Sequence, residues 1–150
     1  MTLNKKLNVG IIGCGRFGAG VFKNTQYKYN HINTIKNFKN LKIISICDLK
    51  KITLPDLKKV KFFYDSSQLL SNNKIDLVVI ATNNSNHYQL INLCIKYKVK
   101  NIICEKPLAT TYHHYKKILK LKKKIITNYS RRHLDVFLEL KKKIKNNFLG

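Results

Sequence analysis

Three glycines at the end of an apolar run are the first residues here whose spacing could do chemistry. Gly13, Gly15 and Gly18 form a G-x-G-x-x-G pattern directly after the β-branched segment Leu7–Ile12. Such glycines let a strand turn sharply and present backbone N–H groups to an anion, and a side chain at Gly15 would occupy the space of a phosphate. The pattern also arises by chance as an ordinary tight turn. Its position directly after the first strand favours a diphosphate site.

A carboxylate stands where a dinucleotide site requires one. The second apolar run, Leu41–Cys47, ends at Asp48, which could accept hydrogen bonds from ribose hydroxyls or could be a simple strand-end turn residue. A carboxylate there repels a 2′-phosphate and therefore favours NAD. Lys50 and Lys51 could instead bind the 2′-phosphate of NADP, which leaves NADP open. The sequence therefore predicts NAD, with NADP not excluded.

The spacing between the glycines and Asp48 exceeds the common value of about 20 residues. The segment 19–30 intervenes, and it has no clean helical stripe. We interpret it as an inserted loop that delays the first helix to about His31. This delay predicts that Gly18 does not open the helix and that the helix N-terminus is less well aimed at the phosphates.

A second polar group follows the fifth apolar run. Glu105 is the only acid between Asp76 and Asp135, and it precedes Lys106 and Pro107. Open α/β sheets hold their ligands at the carboxyl ends of their strands, and proline biases the preceding residue to an extended backbone. A lysine held in this way could aim its ammonium group at a substrate hydroxyl or a cofactor carbonyl, or it could be a solvated turn residue.

Alternating strands and helices must position these groups. We predict strands and helices in alternation, which calls for a doubly wound, mainly parallel α/β sheet of the Rossmann type with helices on both faces. A length of 150 residues favours one domain. The predicted strands are Leu7–Ile12, Leu41–Cys47, 60–64, 75–81, 101–104 and 125–127, and the predicted helices are 31–39, 67–70, 86–97, 112–123 and 134–145.

The charge is strongly positive, with 30 Lys and Arg against 7 Asp and Glu. A basic, non-catalytic module that binds nucleic acid or another polyanion through surface lysines is therefore the alternative function. Only three of the basic residues are arginines, however, and specific readers of nucleic acid favour the arginine fork. We expect no specific nucleic-acid partner.

The cysteines and the N-terminus indicate a cytoplasmic protein. The four cysteines lack metal-ligand spacing and lie in or beside apolar runs, which predicts reduced, buried thiols and no metal site. The N-terminus has no signal-peptide pattern, and no uncharged stretch approaches the roughly 18 residues that span a bilayer. No membrane partner is expected.

Four segments taken together resemble a known family. VGIIGCGRFG, ISICD, VVIATNNSNH and IICEKPLA, in this order, are similar to the N-terminal NAD(P)-binding domain of the Gfo/Idh/MocA oxidoreductases. The resemblance extends from about Asn8 to Gly150, and the Glu-Lys-Pro element is its most specific part. It implies hydride transfer between NAD and a hydroxyl of a sugar, a polyol or a sugar derivative.

The resemblance also implies roles for individual residues. The turn around Gly13 and Gly15 would line the pyrophosphate, Asp48 would bind the adenosine ribose, and Glu105 would contact the nicotinamide ribose region. Lys106 is the expected catalytic residue, and it would assist proton movement or substrate orientation. The remaining expected cofactor contacts are Cys14, Arg16, Phe17, Ala81, Thr82, Asn83 and His87, although His87 could equally be a helix N-terminal residue satisfied locally.

The length departs from the family pattern. Members continue into a second domain that forms the substrate pocket, which predicts a Rossmann domain over 1–128 and a linker helix over 129–150. As 150 residues, the chain is expected to bind the dinucleotide without efficient turnover, so its status as an enzyme is left open. The apolar residues of the last helix predict self-association.

Overall fold

A six-stranded parallel sheet organises the chain. The computed structural model describes residues 6–22, 25–26, 28–52, 54, 57, 59–71, 74–121 and 123–147. The strands are β1 (Leu7–Ile12), β2 (Val21–Phe22), β3 (Thr25–Gln26), β4 (Leu41–Cys47), β5 (Lys61–Phe63), β6 (Leu77–Ile80), β7 (Asn101–Glu105) and β8 (Lys124–Asn128). The helices are α1 (His31–Lys36), α2 (Ser66–Ser71), α3 (His87–Lys96), α4 (Tyr112–Leu119) and α5 (Asp135–Lys145), with 3-10 turns at Asn84–Asn86 and Ser130–His133.

The strand order identifies the topology. The large sheet has the order β5-β4-β1-β6-β7-β8, and all its pairs are parallel. Numbered without the small β2–β3 hairpin, this is 3-2-1-4-5-6, the order of dinucleotide-binding folds, in which the strand order reverses between β1 and β6. The predicted doubly wound α/β sheet is confirmed, and each predicted strand ends within two residues of an observed one.

Helices bury both faces of the sheet. All four residues of β6 are buried, as expected for a central parallel strand that is covered on both sides. On one face Val78 and Ile80 pack with side chains of α2, α3 and α4, and on the other Ile11 and Val79 pack with α1. This two-sided burial fixes the central strands and therefore the positions of the residues that follow them.

The first helix is interrupted after one turn. The backbone N–H of Ala19 donates to the carbonyl of Gly15, as in a helix, and the chain then leaves the helix axis. The N–H groups of His31 and Ile32 donate to the carbonyls of Phe17 and Gly18 at 2.8 and 3.0 Å. In an α-helix the N–H of each residue donates to the carbonyl four residues earlier. His31 therefore occupies the helical position that residue 21 would take in an uninterrupted helix. Residues 21–30 are a ten-residue excursion from this helix.

The excursion confirms one part of the prediction and corrects another. The first regular helix does begin at His31, with the Asn30 side chain accepting from the N–H of Asn33 at its N-terminus. The excursion is not a plain loop, because Val21–Phe22 pairs antiparallel with Thr25–Gln26. A helical turn before the excursion is also retained, since the N–H of Ala19 donates to the carbonyl of Gly15.

The last helix is exposed. None of the residues of α5 is buried, and its apolar side chains include Val136 and Ile144, which are more than half exposed. Two other helices are shorter than predicted, since α1 ends at Lys36 and α4 at Leu119. Both end in a turn whose backbone N–H groups reach back to helix carbonyls, a local feature without a proline or glycine signal.

Candidate functional site

Each glycine of the turn after β1 has a different steric role. Gly13 has φ +92°, and a Cβ there would lie 2.6 Å from the carbonyl carbon of Ala81. A Cβ at Gly18 would overlap the carbonyl oxygen of Gly13, so the first helical turn packs directly on the end of the strand. A Cβ at Gly15, in contrast, would face open space. Gly13 and Gly18 are required by the fold, whereas the space above Gly15 is available to a ligand.

Asp48 is bonded to this turn. Its Oδ2 accepts a 2.7 Å hydrogen bond from the backbone N–H of Cys14, and its Oδ1 accepts one of 3.1 Å from Lys50. The backbone also connects the two strands here, because the N–H of Gly13 donates to the carbonyl of Cys47. The side chain is half-buried, so a carboxylate is fixed beside the glycine turn at the end of β4.

A cavity of about 380 Å³ lies between these residues and the end of β6. Its volume is within the range of about 300–1,000 Å³ that is typical of small-molecule sites. It lies where the strand order reverses, which is the ligand position expected for this topology. Its lining includes six of the predicted site residues, namely Gly13, Gly15, Asp48, Ala81, Thr82 and Asn83.

Sequence reasoning missed several residues of this cavity. Tyr64 and Ser66 follow β5, and Asn86, Gln89 and Leu90 lie at the start of α3 and in the 3-10 turn before it. The position of Tyr64 and Ser66 after the third strand of the large sheet was a usable signal, because the carboxyl ends of parallel strands share one edge. The remaining lining residues are Ile12, Cys47 and Leu49.

The other residues of the glycine turn lie outside the lining. Cys14 is buried, its Sγ lies 3.6 Å from the carbonyl oxygen of Cys47, and burial together with the Asp48 charge raises its thiol pKa to about 12. Arg16 and Phe17 are exposed, with the guanidinium carbon of Arg16 5.4 Å from the centre of the Phe17 ring. Cys14 therefore contributes its backbone N–H, which donates to Asp48, whereas its side chain does not line the cavity.

His87 is an internal support. Its side chain is buried, with Nδ1 2.8 Å from the carbonyl oxygen of Pro107 and Nε2 3.2 Å from that of Thr82. Its ring thus connects the loop after β6, which lines the cavity, with the Glu-Lys-Pro turn after β7. Both ring nitrogens face main-chain carbonyl oxygens, so in this conformation the imidazole would act on a ligand only indirectly, by holding the two loops that it connects.

Glu105 is held by two side chains from distant parts of the chain. Its Oε1 lies 2.8 Å from His31 Nε2 and 2.7 Å from Asn128 Nδ2. Burial by itself would raise the pKa of this carboxyl group, but the hydrogen bonds from His31, Asn128 and the backbone of Lys106, with the His31 charge, hold the pKa below its ordinary value. The site therefore contains an ionised carboxylate at the end of β7.

Lys106 is exposed directly after this carboxylate, and its peptide bond to Pro107 is cis. Neither Lys106 nor Glu105 lines the cavity beside Asp48. Apart from the buried His87 of α3, the predicted site residues therefore fall into two groups along the same sheet edge, one after β1, β4 and β6 and the other at the end of β7.

Within the described part of the chain, no three His, Cys, Asp or Glu side chains are grouped closely enough to hold a metal ion. The described helices likewise include none with the length and apolar character of a membrane span.

The topology, the glycine turn and the carboxylate after β4 together define a Rossmann domain of the dinucleotide-binding class. Residues 7–130 match the model of the Gfo/Idh/MocA family, described as an oxidoreductase family with an NAD-binding Rossmann fold. The chain belongs to this family, as the resemblance of its motifs predicted.

Individual relatives agree with this assignment. The chain is 25% identical to myo-inositol 2-dehydrogenase from Thermotoga maritima, over 96% of this chain and 42% of that protein. It is 27% identical to D-apiose dehydrogenase from Paraburkholderia graminis, over 73% of this chain and 28% of that protein.

A solved structure extends the comparison to the fold. The crystal structure of myo-inositol dehydrogenase from Lactobacillus casei in complex with NAD(H) and myo-inositol superposes with a TM-score of 0.78 at 25% identity, covering 97% of this chain and 43% of that one. The chain thus spans less than half the length of these relatives.

Proposed function

We propose that this chain binds NAD across the carboxyl ends of its parallel strands and is the nucleotide-binding part of an oxidoreductase. The observation that carries this proposal is the pairing of Gly15, above which a side chain would meet nothing, with Asp48, whose carboxylate is bonded to the same turn. Both lie at the reversal of strand order, where dinucleotides bind in this topology.

The residues present fit the cofactor. The backbone from Gly13 to Phe17, which includes Cys14 and Arg16, would face the pyrophosphate with the start of the interrupted helix. Asp48 would accept hydrogen bonds from the adenosine ribose while it holds the Cys14 N–H. Ala81, Thr82 and Asn83 would border the cofactor, and His87 would support them from below. Lys50 and Lys51 are exposed beside Asp48, which leaves NADP as a second cofactor to test.

The end of β7 would serve the nicotinamide half. Glu105 would contact the ribose of that half, and NAD, when bound there, supplies a hydride acceptor. The exposed ammonium group of Lys106 would orient a substrate hydroxyl or relay its proton to solvent. Hydride transfer needs both reactants held in line, so the substrate must be held above this edge of the sheet.

A sugar, polyol or sugar-derivative hydroxyl is the proposed substrate group. The relatives include enzymes named for myo-inositol and D-apiose, which are compounds rich in hydroxyl groups. Since the chain spans 42% of the Thermotoga maritima relative, we propose that the substrate-binding surface lies outside these 150 residues, with 1–128 as the nucleotide-binding domain and 129–150 as a linker helix. The exposed apolar side chains of α5 support a role in association, either with such a surface or with another copy.

We also propose a cytoplasmic location. The four cysteines are buried and unpaired, as expected where thiols stay reduced.

Titration of the folded chain with NADH, followed by nicotinamide fluorescence and calorimetry, tests the cofactor assignment. We expect a dissociation constant in the micromolar range, an order of magnitude taken from ordinary enzyme affinities for substrates. NADPH is the comparison ligand. Absence of binding by either dinucleotide to a chain with native circular dichroism would remove the proposal.

The positive charge requires a control in the same titration. Lysines that attract polyanions give an affinity that falls steeply with salt and does not depend on the nicotinamide ring. A site built from backbone N–H groups and Asp48 should retain NADH at 200 mM salt, and a DNA oligonucleotide should displace little of it. Full displacement by the oligonucleotide would favour the polyanion-binding alternative.

A further inference from the structure

Three side chains from remote parts of the chain meet at the end of β7. His31 opens α1, Glu105 ends β7 and Asn128 ends β8, and both partners approach the same oxygen, Glu105 Oε1. The side chains of His31 and Glu105 are only 13% and 11% exposed. The cluster is therefore an internal arrangement at the sheet edge rather than a contact between solvated surface groups.

Burying the charged Glu105 carboxylate at the end of β7 costs free energy unless hydrogen-bond donors surround it. A buried carboxylate loses its hydration, and this loss must be compensated by donors fixed around it. Here the side-chain donors come from the helix on one face of the sheet and from the neighbouring strand, and the backbone of Lys106 donates to the same carboxylate. Their convergence on one oxygen restricts the rotation of the carboxylate and fixes the direction of its other oxygen.

The path of the chain also connects this cluster to the glycine turn. His31 is the residue at which the helix resumes after the ten-residue excursion, and its N–H is bonded to Phe17 in the glycine turn. Through its backbone N–H and its imidazole, His31 therefore connects the turn after β1 with the end of β7.

We propose that His31 and Asn128 are positioning residues that hold the Glu105 carboxylate toward the nicotinamide ribose of bound NAD. This inference rests on the proposed function and adds two residues to it. In the proposed function the adenosine half of the cofactor would lie in the cavity beside Asp48, and neither His31 nor Asn128 lines this cavity. The two halves of the dinucleotide should consequently respond differently when the cluster is disturbed.

The test compares NADH with ADP, which contains only the adenosine and diphosphate part. Calorimetry on the full chain gives both dissociation constants for the unaltered chain and for His31→Ala, His31→Gln and Asn128→Ala. His31→Ala and Asn128→Ala should weaken NADH about tenfold, the loss expected for one hydrogen bond to a charged group, and leave ADP within about twofold. His31→Gln retains an N–H donor and should recover much of the NADH affinity.

A matched control and the melting temperature separate positioning from general destabilisation. His133→Gln changes an exposed histidine in the turn before α5 and should alter neither affinity. If ADP and NADH affinities fall by the same factor, or neither falls in a folded His31→Ala or Asn128→Ala chain, the inference is overturned. Should His31→Ala fail to fold, the inference is judged on Asn128→Ala and His31→Gln.

The failure of the inference is distinguishable from that of the proposed function. If the unaltered chain binds ADP and NADH equally tightly, the end of β7 contributes nothing, and the positioning inference fails while the nucleotide site stands. If the unaltered chain binds neither ligand, the proposed function fails and the inference fails with it.

Discussion

The backbone N–H of Cys14 donates a 2.7 Å hydrogen bond to Oδ2 of Asp48. These residues lie 34 positions apart, and the bond joins the turn after β1 to the end of β4. One carboxylate thus fixes the shape of the glycine turn and also stands beside the cavity. We therefore expect folding and cofactor binding to be coupled at this residue.

Asp48→Asn should reduce both stability and cofactor affinity. The amide retains the side-chain shape but loses the charge that strengthens two backbone hydrogen bonds, so we expect about 1–2 kcal/mol less free energy of unfolding and about tenfold weaker NADH binding. Urea denaturation and calorimetry measure the two effects. Asp135→Asn, at an exposed position in α5, is the matched control. An Asp48→Asn chain that binds NADH normally would show that this carboxylate does not contact the ribose.

Substitutions at two glycines should separate binding from folding. Gly15→Val places its side chain in the open space of the cavity, so NADH binding should be lost with little change in melting temperature. Gly18→Ala places a methyl group on the carbonyl of Gly13, so the fold itself should be destabilised, by about 2 kcal/mol or more. Thermal unfolding and NADH titration of both variants provide the comparison. Equal effects of the two changes on stability would contradict the assigned roles.

The thiols should be unreactive in the folded chain. Burial raises the pKa of Cys14, Cys94 and Cys104 to about 12 and that of Cys47 to about 11, so little thiolate is present at pH 8. A chromogenic disulfide reagent should titrate four thiols in denaturant and react slowly without it. Cys47 lines the cavity, so NAD should slow its residual reaction more than that of Cys94. A fast-reacting thiol in the native chain would contradict this burial.

Glu105→Gln should destabilise the chain in a pH-dependent way. The pKa of Glu105 is lowered in the folded chain from an ordinary 4.5, so the folded state binds this proton less readily than the unfolded state. The stabilisation by the carboxylate is therefore complete well above pH 4.5 and is lost as the pH falls through the lowered value. Urea denaturation at pH 7 and at decreasing pH should show the stability difference between Glu105→Gln and the unaltered chain shrinking below about pH 4.5. A constant difference would mean that the bonds to His31 and Asn128 do not depend on the charge.

Ser45→Ala should stabilise the chain. Ser45 is fully buried, and its hydroxyl oxygen has no hydrogen-bond partner among the described residues. The register between β1 and β4 shifts between Val9 and Gly10, and Ser45 pairs with Gly10 directly after this shift. Removal of an unsatisfied hydroxyl should raise the free energy of unfolding by about 1 kcal/mol. Ser130→Ala, an exposed control, should change it by less than about 0.5 kcal/mol, and a destabilised Ser45→Ala chain would reveal a partner for the hydroxyl.

The strands of the large sheet could be predicted from the sequence because they are short apolar runs that end in glycine or a polar residue. Leu7–Ile12 and Leu41–Cys47 were predicted with the observed bounds. The glycines and Asp48 were singled out because they directly follow the first and second apolar runs. Without the ten-residue excursion, Gly18 and Asp48 are separated by about the 20 residues of the common pattern.

The cluster around Glu105 could not be predicted in the same way. His31 is 74 residues from Glu105, and their contact depends on the helix resuming in register after the excursion. Local sequence carries no signal for that continuity. The alternative that His87 is satisfied locally agrees with its contact with Thr82, but its bond to the carbonyl of Pro107 spans 20 residues and depends on the packing of α3, so it could not be predicted.

The continuity of the first helix across its excursion has a consequence for how this chain can be altered. Because Phe17 and Gly18 bond to His31 and Ile32 as neighbouring turns of one helix would, the two ends of the excursion lie a single helical step apart. Segments that leave and rejoin a scaffold at adjacent points can be exchanged at small entropic cost, since the closure cost rises only slowly with length. Residues 21–30 thus mark a graft point, where a reporter peptide or a binding loop could be carried next to the nucleotide crevice on an unchanged sheet.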